Sequence, residues 1–92
     1  MIDVAHSLAR LLLDDGNADG ALKVARLALD VDRYDERPWR DLLQAHHLRG
    51  EDRQVGLLVD QLRELLEVEL DEELQPETAE LVERLLPRRR RA

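Results

Sequence analysis

The side chains able to do chemistry are few, and their spacing assembles no reactive site. His46 and His47 are neighbours in the chain. On a helix, adjacent side chains point about 100° apart, so the two imidazoles cannot converge on one ion. No His-x3-His or carboxylate–His spacing supplies a zinc set, and no metal site is expected. Ser7 is the only serine and falls within a helical pattern. There is neither a nucleophile motif nor a glycine-rich phosphate loop. The chain has no cysteine, hence no disulfide and no thiolate ligand. Carboxylates are numerous but are spaced like those of a solvated surface. The expectation is a chain that is not an enzyme, with no catalytic residues and no cofactor.

Composition and charge narrow the partners. The 92 residues suffice for one domain. Apolar residues make up 43% and charged residues 38%, a balance that folds rather than stays disordered. The apolar set is almost wholly Leu, Val and Ala, and Trp39 and Tyr34 are the only aromatics, which favours helix over strand. Formal net charge is −7; setting aside the four positive charges of Arg88–Arg91 leaves −11 for the remainder. A body so acidic repels phosphate backbones, so no direct nucleic-acid binding by it is expected. Residues 88–92 read as a basic tail: solvated, folded back on the acidic stretch Glu67–Glu73, or, as a third reading, touching nucleic acid. No apolar run reaches the length of a membrane span and no signal peptide is visible, so no membrane partner and a cytoplasmic location are expected.

The elements that must position these side chains are five helices. The first covers about Ile2 to Asp15, with Val4, Ala5, Leu8, Leu11 and Leu12 at helical spacing and Gly16 as a left-handed stop. Asn17 is placed to cap the second, about Ala18 to Asp30, whose stripe is Ala21, Leu22, Ala25, Ala28 and Leu29. The third starts near Glu36, takes Pro38 in its first turn, presents Trp39, Leu42, Leu43 and His46 on one face, and stops at Gly50. The fourth runs from about Asp52 to Leu70 on Val55, Leu58, Val59, Leu62, Leu65 and Leu66. Leu57 and Val68 lie off that stripe, so this helix is expected to be sandwiched between neighbours. After an acidic linker, Pro76 opens a fifth helix with Leu81, Val82 and Leu85 on its apolar face, and Pro87 ends it.

Gly16 and Gly50 stand 34 residues apart, each closing one helix just before the next. A 34-residue period of helix–turn–helix units resembles the tetratricopeptide signature. Leu8, Gly16, Ala21 and Ala28 in the first unit, and Trp39, Leu42 and Gly50 in the second, fall at its offsets. Arg33 stands where Pro is usual and Val55 where Ala is usual. The expected fold is therefore all-α and tetratricopeptide-like: two helix-turn-helix pairs plus a C-terminal capping helix over residues 1–87. In such stacks the first helix of each pair lines the concave side. That register places His6, Arg10 and Leu13 of the first unit, and Arg37, Arg40, Gln44 and His47 of the second, on the groove. These are mostly long polar donors suited to an acidic or C-terminal peptide segment. Leu57 and Val68, with Leu86 at the end of the last helix, form a candidate self-association strip, for which a closed two-fold homodimer is the usual form.

The second half carries a more specific pattern: Tyr34-Asp35-Glu36-Arg37-Pro38-Trp39-Arg40, then Leu42-Leu43, Gly50, Leu62-Arg63, Glu69-Leu70 and Pro76-Glu77-Thr78 with Leu81. This order resembles the bacterial transcriptional activator domain of SARP-type antibiotic regulatory proteins, over about Leu8 to Leu86. The resemblance implies a helical module that makes dimer contacts and couples regulation to a neighbouring DNA-binding domain. Asp71 replaces the Gly usual after Glu-Leu, Leu74 a usual Pro, and Val59-Asp60 a common aromatic. The expected function is non-catalytic protein–protein interaction or dimerisation, as the regulatory domain of a bacterial transcriptional regulator whose partner is a protein or its own neighbouring domain. The alternative is a generic helical-repeat scaffold module attached to an unrelated envelope or signalling protein.

Overall fold

The computed structural model describes residues 1–86; the basic tail and the Pro87 helix stop lie outside them. Local chemistry sets the helix ends. Helix α1 (Ile2–Asp14) stops at Gly16, whose φ of 78° suits a residue without a side chain. The Asn17 and Gly16 amides donate back to the carbonyls of Leu12 and Leu13, at 2.8 and 3.0 Å. Helix α3 (Glu36–Leu48) ends the same way at Gly50, φ 77°, with Glu51 and Gly50 donating to His46 and His47, both at 2.9 Å. These paired bonds satisfy carbonyls that a helix end otherwise leaves open. Asn17 caps α2 (Ala18–Val31) by accepting from the Gly20 amide at 2.9 Å. Asp35 caps α3 by accepting from the Arg37 amide at 3.0 Å.

Helix α4 (Asp52–Leu65) continues into a π-helical turn, Leu66–Leu70, that ends at Asp71 in the left-handed conformation, φ 54°. Pro76 opens α5 (Pro76–Leu85). The boundaries of α1 and α3, and those of α2 and α4, differ by 34 residues at both ends. Among the described residues the fold is all-α, with no strand.

Each helix packs on the next, and α1 also packs on α3 and α3 on α5. The odd-numbered helices therefore form one layer, with α2 and α4 behind it. The small side chains Ala18, Ala21, Ala25 and Ala28 on α2 let both α1 and α3 approach closely. Leu43, Val55, Leu62 and Leu66 are the large apolar side chains most completely enclosed, and α5 closes the core with Leu81 and Leu85. Trp39 joins this core while its indole Nε1 donates to the Arg33 carbonyl at 2.8 Å, so its one polar atom is satisfied.

Two expected faces pack differently. On α1, Ala5 and Ala9 are buried and Leu12 packs on the core, but Val4, Leu8 and Leu11 are exposed. The physical reason is position: α1 begins the stack, and among the described residues no helix lies on its outer side. Leu57 of α4 and Val68 of the π turn are likewise exposed rather than sandwiched, since α3 and α5 bury only the opposite stripe of α4.

Candidate functional site

Because α1, α3 and α5 lie side by side, they leave a shallow trough. Its centre is a hollow of about 340 Å³ lined by His6, Arg10, Arg40, Gln44 and Arg84 and, among them, by the carboxyl groups of Asp41, Glu77 and Glu80. One end continues into a hollow edged by Leu13, His47, Leu48 and Leu85, and the other into one edged by Arg37 and Gln75. All seven groove positions expected from the repeat register thus line one continuous surface.

The trough is also a set of bonds between helices. His6 Nδ1 donates to Asp41 Oδ2 at 2.7 Å, and Arg10 donates to Gln44 at 2.8 Å, both from α1 to α3. Arg37 is held by Asp35 at 2.7 Å and by Asp3 of α1. Arg40 donates to Thr78 Oγ1 at 2.9 Å and to Gln75 at 3.3 Å, from α3 to α5. Beside it, the buried carboxylate of Glu36 accepts from the Gln75 amide at 3.0 Å, serving the start of α5. A charge-assisted bond to a helix N-terminal amide is among the stronger protein hydrogen bonds. His47 edges the trough at the end of α3 without bonding to a neighbouring helix of it; its Nδ1 lies 3.3 Å from Asp52.

Asp41 is the unusual member. It is 1% exposed, and its Oδ1 is buried with no partner among the described residues. Burial pushes its carboxyl above the ordinary value of 3.8, and the bond from His6 pulls the other way without cancelling it. Asp35 and Asp3 show the reverse. Hydrogen bonding to Arg37 holds both below the ordinary range, and Arg37 is raised in return.

Sequence reasoning named the groove donors and one acceptor, Gln44, but not the other acceptors. Glu36, Asp41 and Thr78 are buried polar residues that it left unassigned. A signal for some of them existed: His6 and Asp41 are 35 residues apart, and Arg10 and Gln44 are 34 apart. Polar pairs one repeat apart are neighbours across α1 and α3. Arg84, exposed at the rim between two of the hollows, was also left out of the groove set.

The self-association strip is split. Leu57 and Val68 lie about 16 Å apart along the helix axis, and the exposed polar residues Gln61 and Glu64 stand between them. Leu86 is half-buried and packs against the core. Among the described residues no helix is long and apolar enough to cross a membrane. No group of three His, Asp or Glu among them is placed to hold a metal ion.

Fold and trough together define an all-α chain of two helical hairpins one 34-residue repeat apart, closed by a fifth helix. No protein-family model, no curated protein and no solved structure matches the chain.

Proposed function

We propose that the chain is a non-catalytic protein–protein interaction module of tetratricopeptide-like type, acting in the cytoplasm as the regulatory domain of a bacterial transcriptional regulator. The regulatory assignment rests on the resemblance of residues 8–86 to the bacterial transcriptional activator domain. The interaction assignment rests on one observation: Arg10, Arg40, His47 and Arg84 line a single open trough across α1, α3 and α5. Open, shallow and lined by arginine forks set among the carboxylates of Asp41, Glu77 and Glu80, it suits an extended segment or a chain terminus whose carboxylate meets those forks better than a small molecule. The partner is a protein or the neighbouring domain of the same polypeptide.

An array of peptides with acidic C-termini, probed with the chain and with two variants, tests this reading. Arg84→Glu reverses a rim charge without touching the bonds of Arg40. Arg40→Glu with His47→Ala removes two groove donors. Both are expected to weaken every positive peptide at least about tenfold, the scale of one charge-assisted bond, with helicity retained. Positive peptides bound equally well by all three proteins would refute it.

A further inference from the structure

Behind the trough, the second layer of helices is not closed. Helices α2 and α4 both pack on α3 but not on each other. The gap between them holds a hollow of about 650 Å³ that reaches down to the last turn of α3. Its charge runs against that of the chain. A protein of net charge −7 gathers three arginines here: Arg26 of α2, Arg53 of α4, and Arg49 just past the end of α3. Glu51 is the one carboxylate in the lining among the described residues, and it is engaged, accepting from His46 at 2.7 Å and lying 3.0 Å from Arg49. Arg49 also donates to Asp19 at 2.7 Å, so its charge is balanced on both sides. Arg26 and Arg53 are exposed, and neither makes an ion pair among the described residues. Two unbalanced guanidiniums therefore face one gap from its two walls.

The floor adds a buried histidine with bonding capacity to spare. The His46 side chain is 7% exposed. Its Nδ1 donates to Glu51, which fixes the ring, while its Nε2 is buried with no partner among the described residues. Leaving such an atom unpaired costs stability, and a polar group that arrives beside it gains a bond the chain alone does not make. Leu22 and Leu57 supply the apolar part of the lining. Leu57 is 52% exposed and serves no core contact of α4, so this hollow gives that side chain a role.

We propose that this hollow is a second binding site, for a phosphate monoester whose phosphoryl group lies between Arg26 and Arg53 and whose organic part rests on Leu22 and Leu57. The site goes beyond the trough reading: it lies in the other layer of helices and shares no lining residue with the trough. The two walls select the anion. A carboxylate is planar, and one arginine fork satisfies both of its oxygens. A monoester phosphoryl group carries close to two negative charges and three acceptor oxygens pointing different ways, enough for an arginine on each side. A nucleic acid offers diesters of one charge each on a long polyanion, which the acidic body repels.

The chain's three histidines report where a ligand sits: His46 lines this hollow, whereas His6 and His47 line the trough. The test follows their ring NMR signals while the full chain is titrated with phenyl phosphate at fixed ionic strength and about pH 7.5, where the ester is a dianion. Benzoate is the carboxylate control. The expected result is a saturable shift of His46 alone, with benzoate at least about tenfold weaker. The double variant Arg26→Gln, Arg53→Gln, of checked helicity, should weaken phenyl phosphate at least about tenfold, the scale of one charge-assisted bond. A peptide bearing phosphotyrosine carries the same aryl phosphate and separates the two sources. Tighter binding than phenyl phosphate assigns the site to a protein side chain, and equal or weaker binding to a small molecule; either agrees with the proposal. A His46 signal that does not move or does not saturate overturns it. So do shifts centred on His6 and His47, benzoate binding as tightly, or a double variant that binds unchanged. None of these results bears on the peptide trough, whose array measurement is independent.

Discussion

Asp71 offers a measurement in which one backbone angle sets the outcome. It ends the π-helical turn with φ 54° and ψ 44°, the one described residue other than glycine in the left-handed region. Its side chain is exposed. Its amide donates to the Leu66 carbonyl, and the Glu72 amide reaches the same carbonyl at 3.0 Å. A left-handed conformation costs an L-residue about 1–2 kcal/mol through the Cβ–carbonyl clash, less for Asp and Asn. Glycine removes that cost but loses more backbone entropy on folding, about 0.5–1 kcal/mol. For Asp71→Gly the reduced Asp cost and the glycine entropy nearly offset, leaving a gain of at most about 0.5 kcal/mol, or a rise in Tm of at most about 4 °C for a domain of this size. Asp71→Asn should be near neutral, Asp71→Ala should lose about 1 kcal/mol, and the β-branched Asp71→Val should lose more. Thermal melts followed by helical circular dichroism would rank the four. A series in which Ala and Val match Gly would refute the left-handed turn itself.

Two further outcomes follow from the core and from the charges. Leu43→Ala empties a site that is 1% exposed and should cost about 2–5 kcal/mol, a large share of a small domain's stability, as read by urea unfolding. Acid sensitivity should be set by four carboxylates held below their ordinary 3.8–4.5: Asp3 and Asp35 by Arg37, Glu51 by His46, and Glu69 by Tyr34. A depressed carboxylate contributes stability above its unfolded value and loses it as pH falls through its folded one, so melts should fall steadily from about pH 5 to pH 2. Asp41, being raised, works the other way. Asp41→Asn should therefore gain most on wild type as pH rises above about 4, and a gap that shrinks over that range would contradict its burial cost.

Much of this architecture is legible in the sequence because its signals are local. Gly16, Gly50, Asn17 and Pro76 mark helix ends by backbone chemistry that depends on a few neighbours, and each stands where expected. Stripes on α2, α3 and α4 were readable because those helices have partners on the side the period selects. The same period on α1 gave a core face that is open, since periodicity reports an apolar side and says nothing of whether anything covers it. Leu57 and Val68 show the same gap. Groove donors could be placed from the repeat register, but their pairing with Asp41, Thr78 and Gln75 depends on the spacing between helices, which a register does not contain.

Under the proposed function the trough would ask one set of side chains to do two jobs, and the geometry separates them. The bonds from His6 to Asp41 and from Arg10 to Gln44 tie α1 to α3, and those of Arg40 tie α3 to α5. Tied at these points, the three helices hold their spacing, so a ligand meets a trough already shaped and loses less in ordering it. The same bonds occupy donors that a ligand would otherwise take, which lowers what each can add on binding. Arg10 and Arg40 are bound through one terminal nitrogen each, and a guanidinium carries five N–H donors in a fork. Each can therefore hold its neighbouring helix with one nitrogen and still offer the rest to a carboxylate. Lysine has a charge but no fork, so Arg→Lys at position 10 or 40 should keep the attraction and lose the division of labour.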